Sequence, residues 1–313
     1  MRRIATVFGG TGFIGRAVAK RLAQRGFILR IVSRDPVKAR RLSTLGGVGQ
    51  IVPFPADIAS DEAVRAALAG AEVAVNLIGI LYERRRGDFD RLQGELPGRI
   101  GRMAAAEGVA RLVHVSAIGA DAASPSAYAR SKAAGEAALR AAFPAAVILR
   151  PSIVFGPEDS FFNRFAAMAA MTPFVFPVVS GDTRFQPVHV ADVADAVMAA
   201  LEREDAAGRS YELGGPRVWT MRELMAFMLE ATGRRRRLIE MPPGLMRLQA
   251  KILEKLPDPP LTQDQLLLLG RDNVVSEGMP GLAELGIAPR SVEATVPDYL
   301  KRFRPGGGRR EAA

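Results

Sequence analysis

The sequence predicts a doubly wound α/β fold, a parallel sheet covered by helices on both faces. Two observations carry this. Short apolar runs alternate with amphipathic stretches through the first half of the chain, and the first run leads directly into a glycine-rich turn. Strands buried on both faces have no side to leave polar, so they read as near-continuous apolar segments, and the amphipathic stretches between them supply the covering helices. The spacing predicts strands over residues 4–8, 28–32, 50–54, 72–77, 111–115 and 145–149. Helices are predicted between them over 13–25, 37–45, 61–69, 89–107 and 127–143. Right-handed crossovers then place the ligand crevice at the carboxyl ends of the strands.

After Pro151 the regularity changes. Helices are expected over 161–171, 221–232 and 244–256, the last stopped by Pro257, and extended chain over 174–179 and 211–213. Asp192 is the expected N-cap of a helix running to Arg203. The 313 residues suit two units at about 150 residues each. The first is expected over 1–152 plus about 185–213, and a smaller α/β unit over about 153–184 plus 214–304; residues 305–313, rich in Gly and Arg, read as a frayed tail.

Composition narrows the function classes. Apolar residues at 48% and charged residues at 24% describe an ordinary globular chain rather than a disordered one. Cysteine is absent, which removes disulfides, thiolate metal sites and cysteine nucleophiles together. No apolar run approaches a membrane span of about 18–20 residues, and the start lacks the apolar core of a signal peptide, so a cytoplasmic protein is expected. The formal charge is +10. Between Met1 and Arg41 stand eleven basic residues and one acid, Asp35, so the whole excess lies there and the remaining chain is balanced. Aromatics at 6% and the lack of a recognition helix speak against nucleic acid. The outward residues of the first helix, Lys20, Arg21 and Arg25, are instead expected to face an anionic partner or a membrane surface.

The turn Gly9-Gly10-Thr11-Gly12-Phe13-Ile14-Gly15 joins the first strand to the first helix. Glycine serves where a tight turn needs positive φ and where backbone approaches a pyrophosphate, and the helix N-terminus offers N–H groups and positive dipole to the phosphates. A Rossmann-type, dinucleotide-binding sheet follows. At the end of the second strand come Ser33, Arg34 and Asp35. Arginine pairs with a 2′-phosphate and a carboxylate with a free ribose hydroxyl, so Arg34 with Ser33 favours NADP(H) while Asp35 speaks for NAD(H). Asp57 and Gly79, after the third and fourth strands, are further candidates for cofactor contact, and each also suits a plain turn.

The fifth strand delivers Ser116 to the same crevice, and Tyr128 and Lys132 follow on one face of the next helix. A lysine charge about 5 Å from the phenol is worth roughly 3 kcal/mol at an effective dielectric near 20, which brings a tyrosine toward neutral ionisation. Such a tyrosine exchanges a proton with a carbonyl/alcohol oxygen, Ser116 holds that oxygen, and a nicotinamide exchanges the hydride.

These residues resemble the short-chain dehydrogenase/reductase superfamily in its extended or atypical branch, the NAD-dependent epimerase/dehydratase group, over nearly the whole chain. Within it the stretches NLIGILYE, HVSAIGAD, SPSAYARSKAAGE, LRPSIVFGPEDSFFNRFA, TRFQPVHVADVA and PLTQDQLLLLGRDNVV resemble bacterial relatives of the short-chain-dehydrogenase-like accessory subunit of respiratory complex I. The resemblance implies a bound NADPH, often structural, and links to quinone metabolism or complex assembly, at or near the inner face of the membrane. Tyr128 and Lys132 would then also contact the cofactor. The chain departs from the pattern at Ala117, where epimerases tend to carry a second hydroxyl residue, and in lacking an asparagine over 89–107. It keeps the tyrosine–lysine pair that the accessory subunits of higher organisms tend to lose.

The first reading is therefore an NADP(H)-binding protein of the accessory-subunit type, with the cofactor held for a structural, sensing or quinone-linked redox role. An active NADP-dependent reductase or epimerase acting on a small carbonyl, a quinone or a sugar nucleotide is the alternative, and a redox sensor that binds protein partners is the third. His114 and His189, without carboxylate spacing, read as structural rather than metal-binding. Met221, Met225, Phe227 and Met228 read as core, and the arginines of 84–86 and 234–237 as solvated surface. The helix over 244–256 has either a domain-core role or a basic amphipathic face for a membrane or partner. Phe161, Phe162 and Phe174 suggest an apolar ligand.

Overall fold

The computed structural model describes residues 3–306 apart from Lys255, Pro257, Asp258 and Pro260. From the N-terminus run β1 (Ile4–Phe8), α1 (Phe13–Gln24), β2 (Ile28–Ser33), α2 (Pro36–Arg40), β3 (Ile51–Pro55), α3 (Asp61–Leu68), β4 (Val73–Asn76), α4 (Leu96–Ala106), β5 (Arg111–Val115), α5 (Ala127–Ala142) and β6 (Val147–Pro151). Then come β7 (Val154–Phe155), α6 (Phe162–Met171), β8 (Val175–Val178), β9 (Arg184–Phe185), β10 (Val188–His189), α7 (Val190–Glu202), β11 (Ser210–Leu213) and β12 (Trp219–Thr220). The chain continues through α8 (Met221–Ala231), β13 (Arg237–Glu240), α9 (Pro243–Leu253), α10 (Gln263–Leu269) and α11 (Val292–Leu300).

Two units emerge. The first comprises the chain up to Pro151 with Ala191–Leu213 and Gly278–Ile287. Its seven strands are all parallel in the order β11-β6-β5-β4-β1-β2-β3, and the direction of winding reverses between β1 and β4. The register aligns the strand ends: Phe8 lies opposite both Val32 and Asn76, and Asn76 opposite His114. Residues that follow these positions therefore leave the sheet at one edge, the crevice edge of a doubly wound sheet. Residues 278–287 belong here because Glu212 N–H donates to the Pro280 carbonyl (2.9 Å), and residues 185–190 do not, since β9 and β10 pair with β12 and β7 of the other unit.

α1 buries Val18, Ala19, Leu22 and Ala23. Of its outward cations Lys20 is exposed, but the two arginines are not open to a partner as expected. Arg21 donates to Asp195 on α7 (2.6 Å), and Arg25 pairs with Glu202 at the end of that helix. Much of the remaining N-terminal charge is used locally as well: Arg3 pairs with Glu72 (2.8 Å), and Arg30 donates to the Ala69 carbonyl (2.5 Å). Acids distant in sequence thus meet this basic segment in space. Asp192 is not an N-cap either: α7 begins at Val190, so Asp192 lies buried in the first turn, where a carboxylate favours the helix dipole.

In the second unit α8 turns Met221, Leu224, Met225 and Met228 into a core with Phe155, Phe162 and Phe176, as its helical spacing predicts. Phe161 packs beside Phe162 (ring centroids 5.2 Å apart), but Phe174 is 82% exposed, so the three phenylalanines do not share one ligand site. The 234–237 arginines are partly structural: Arg234 donates to the Phe303 carbonyl (2.9 Å), Arg236 to that of Thr172 (2.8 Å), and Arg237 opens β13. Helix α9 ends at Leu253; the expected stop at Pro257 lies outside the described residues, as do 307–313 of the expected tail. Among the described residues no helix is long and apolar enough to cross a membrane.

Candidate functional site

The glycine turn lies at the winding reversal. A Cβ on Gly9, whose φ is +79°, would come within 3.0 Å of the Leu77 backbone after β4. One on Gly15 would fall 2.3 Å from the Gly9 carbonyl oxygen, so only glycine lets α1 pack this closely under its own turn. Gly12 caps α1 without a side-chain hydrogen bond, and the first turn carries no acid. The resulting N–H groups and dipole suit an anion, with Thr11, Phe13 and Ile14 partly exposed around them.

At the end of β2 the two competing signals separate. The Asp35 carboxylate accepts from the N–H groups of Val37 (3.0 Å) and Lys38 (3.1 Å) and so N-caps α2. The Ser33 hydroxyl accepts from Asp35 N–H (3.1 Å) and donates to the Asp35 carbonyl (3.0 Å). Arg34 is exposed. Asp57 stands beyond β3 and accepts from Ala59 N–H (3.0 Å), the geometry of a turn residue.

The candidate acid/base residues Ser116, Tyr128 and Lys132 gather at the ends of β4 and β5. Ser126 N-caps α5 through Ala129 N–H (3.2 Å), which fixes the helix start just before half-buried Tyr128. Phe89 meets the tyrosine edge-on, with ring centroids 5.9 Å apart. Lys132 is buried, its Nζ 5.9 Å from the Tyr128 ring centroid and 3.5 Å from the Val115 carbonyl, next to Ser116. Burial pulls the lysine down from its usual range to about 8, and the Glu136 carboxylate one turn further on opposes that pull. A Cβ on Gly79 would stand 3.2 Å from Lys132 Nζ, so the glycine keeps the approach to the ammonium open. The Ser116 hydroxyl is buried and lacks a hydrogen-bond partner among the described residues. A buried hydroxyl in that state needs a ligand oxygen or a water to complete it.

Sequence reasoning missed Gln93. Gln93 lies in a π-helical turn, Asp90–Glu95, just ahead of α4. Its side-chain carbonyl accepts from Ile80 N–H (3.0 Å), and its amide donates to the Ser131 hydroxyl (3.0 Å), which donates to the Tyr128 carbonyl (2.8 Å). The loop after β4 is thereby tied to the helix that carries the tyrosine and the lysine. The stretch without asparagine holds a buried glutamine instead, and a polar residue inside an apolar helical pattern was the available signal. His114 meets the Asn76 amide through Nδ1 (3.1 Å) and is held to about 3 by burial, then by the Lys132 charge, so it stays neutral. It packs between β4 and β5 beside the lysine. Among the described residues no metal-binding cluster occurs.

Residues 5–214, which contain every group just described, match the model of the NAD-dependent epimerase/dehydratase family. The chain belongs to that family. It is 34% identical, over 97% of its own length and 79% of the relative's, to the mitochondrial NADH dehydrogenase [ubiquinone] 1 alpha subcomplex subunit 9 of Arabidopsis thaliana. It is also 35% identical to the ceramide reductase of Caulobacter vibrioides, over 78% of this chain and 76% of the reductase. Among solved structures, the NADPH complex of a quinone oxidoreductase from Escherichia coli superposes with a TM-score of 0.75 at 21% identity, covering 95% of this chain and 99% of the other. That likeness is one of fold, and it is the Rossmann-type sheet expected of the family.

Proposed function

We propose that this family member binds NADP(H) along the carboxyl edge of its sheet and reduces a carbonyl or quinone with Ser116, Tyr128 and Lys132, in the cytoplasm beside the respiratory membrane. One observation carries the reading: a buried lysine ammonium stands one turn from Tyr128 and beside a serine hydroxyl with an unmet hydrogen bond. Burying such groups is costly unless something completes them, and ribose hydroxyls on the lysine and a substrate oxygen on the serine would do so. When bound, the dinucleotide supplies the hydride. Lys132 would hold the ribose and lower the phenol's proton affinity, Tyr128 would give its proton to the substrate oxygen, and Ser116 would orient that oxygen. The phosphates would rest on the Gly9–Gly15 turn, with Gly79 beside the ribose.

Asp35 commits one carboxylate oxygen to capping α2, and exposed Arg34 beside it supports the 2′-phosphate. Arg34→Ser is expected to weaken NADPH binding about 10- to 100-fold, the worth of a charge-assisted contact, and to leave NADH unchanged. Titration with both reduced cofactors checks this, and tighter binding of NADH by the unaltered protein would refute the preference.

The 34% identity to a complex I subunit across almost the whole chain favours a second reading, in which the dinucleotide is structural within a respiratory assembly. The two part in one experiment: purify the protein, identify any retained nucleotide, and follow its absorbance with quinones, ketones and sugar nucleotides. Substrate-dependent oxidation that vanishes in Tyr128→Phe supports the reductase. A nucleotide that stays reduced throughout, together with co-purifying respiratory subunits, supports the structural role.

A further inference from the structure

The second unit carries apolar surface that its own core does not use. Helix α9 turns Met246, Ala250 and half-buried Leu253 inward, at the i, i+4, i+7 spacing of one packed face. A second stripe, Leu245, Leu248 and Ile252, lies on another side of the helix, and Leu248 and Ile252 are 58% and 62% exposed. A single packed helix needs one apolar face, so the second is unexplained by folding. Arg247 and Lys251, both exposed and one turn apart, form a third side.

The ribbon just before the helix repeats the pattern. β8 and β13 pair in parallel, with Phe176 opposite Leu238 and Pro177 opposite Ile239. Phe176 and Val178 face the core, so the alternation of the pleat sends Val175 and Pro177 outward, and with them Arg237, Ile239 and Met241. There Val175, Pro177, Ile239 and Met241 line an open apolar hollow of about 360 Å³ with Phe174, and neighbouring Met171 is 78% exposed. β13 passes into α9 through Met241 and Pro242 alone, so the outward ribbon face and the outer helix stripe are consecutive on the chain.

The exposed cations around this surface outnumber its acids. Arg235, Arg237, Arg247 and Lys251 are exposed. Of the adjacent acids, Glu240 pairs with Arg222 (2.6 Å) and accepts from Gly181 N–H (2.9 Å), while Glu254 accepts from the neutral Gln263 amide (2.7 Å) and keeps its charge. An apolar strip bordered by long cationic side chains matches the layering of an anionic bilayer surface, acyl boundary beneath and phosphate above. We propose that α9 and the outward face of the β8–β13 ribbon dock this protein on an anionic lipid bilayer. The contact does not depend on the cofactor site and moves the membrane-facing role from α1, whose arginines are paired, to the second unit.

The test is flotation of the full-length protein with vesicles of phosphatidylcholine alone and of phosphatidylcholine mixed with phosphatidylglycerol. Binding is expected on the mixed vesicles and is expected to fall as salt rises. Arg247→Gln with Lys251→Gln should lower the partition coefficient about 30-fold, the effect of two surface cations at about 1 kcal/mol each. Leu248→Glu with Ile252→Glu should abolish binding, while Lys20→Gln on α1 should leave it unchanged. All these positions are exposed, and thermal unfolding of each variant verifies that it folds. Failure of the unaltered protein to float, or flotation insensitive to both α9 double variants, would overturn the proposal. So would self-association in sedimentation velocity that Leu248→Glu with Ile252→Glu disperses, with no lipid binding, since the face would then be a protein interface.

Discussion

Replacing Tyr128 by Phe is expected to lower kcat about 10²- to 10⁴-fold with the substrate that the absorbance assay identifies, the usual contribution of a positioned proton donor. Cofactor affinity should hardly change, because the ring keeps its edge contact with Phe89 and the glycine turn is untouched. The pH profile supplies an independent readout. Burial brings Lys132 to about 8, so the charge proposed to steady the ionised phenol is present below that pH and lost above it. If the proposed reductase is right, kcat/KM of the unaltered protein should therefore fall on the alkaline side of about 8. Unfolding cannot imitate this limb through the same group. An unfolded lysine titrates near 10.4, so between about 8 and 10.4 the unfolded chain binds more protons and folding stability rises with pH through that window. Stability gained while activity is lost identifies the lysine charge as the cause. A flat profile from pH 7 to about 10 would show that Lys132 does not tune Tyr128.

The parts of the site that were legible in the sequence are those that local chemistry dictates. Gly9 and Gly15 are fixed by the approach of backbone to backbone, and Tyr128 and Lys132 by the helical repeat, so both could be placed before the fold was known. Strand ends were legible too, because buried parallel strands admit few polar residues: β1 and β5 begin and end where the apolar runs do. What escaped depends on distant partners. The charge on α1 looked available because Asp195 and Glu202 lie far along the chain, and parallel pairing of α1 with α7 is not visible in either segment alone. Gln93 escaped because its role arises from a π-helical turn, where one wider loop of backbone turns a side chain toward Ile80 and Ser131 that an unbroken α-helix would aim elsewhere.

The short pieces of the second unit escaped for a different reason. β7, β9, β10 and β12 have two residues each, too few for any periodicity, and α11 contains Pro297, which reads as a break. β13 was hidden in an arginine run, and it is that strand which carries the outward apolar ribbon into α9. Polar sequence therefore concealed an apolar surface, since alternation in a strand places Arg237 and Ile239 on the same face.

Loss of the Glu136 charge is expected to have the largest effect on stability. This residue is 2% exposed and accepts two hydrogen bonds from Arg150 on β6, at 2.9 and 2.6 Å, while Glu212 on β11 approaches the same guanidinium at 3.6 Å. The group ties α5 to the two outermost strands on that side of the sheet. Removing one partner of a buried pair costs about 3–5 kcal/mol because the other charge stays desolvated. Here Arg150 keeps Glu212 and some solvent contact, so Glu136→Gln should cost about 3 kcal/mol, the lower end of that range, read from the urea midpoint at constant slope. The same carboxylate supports the charge of Lys132, one turn back on α5. Its loss must therefore move the alkaline limb of kcat/KM below 8, in a protein that still folds. Glu212→Gln, which touches Arg150 but not the lysine, should destabilise less and leave the pH limb in place. If both variants shift the limb equally, the change comes from a loosened α5 rather than from the electrostatic link between Glu136 and Lys132.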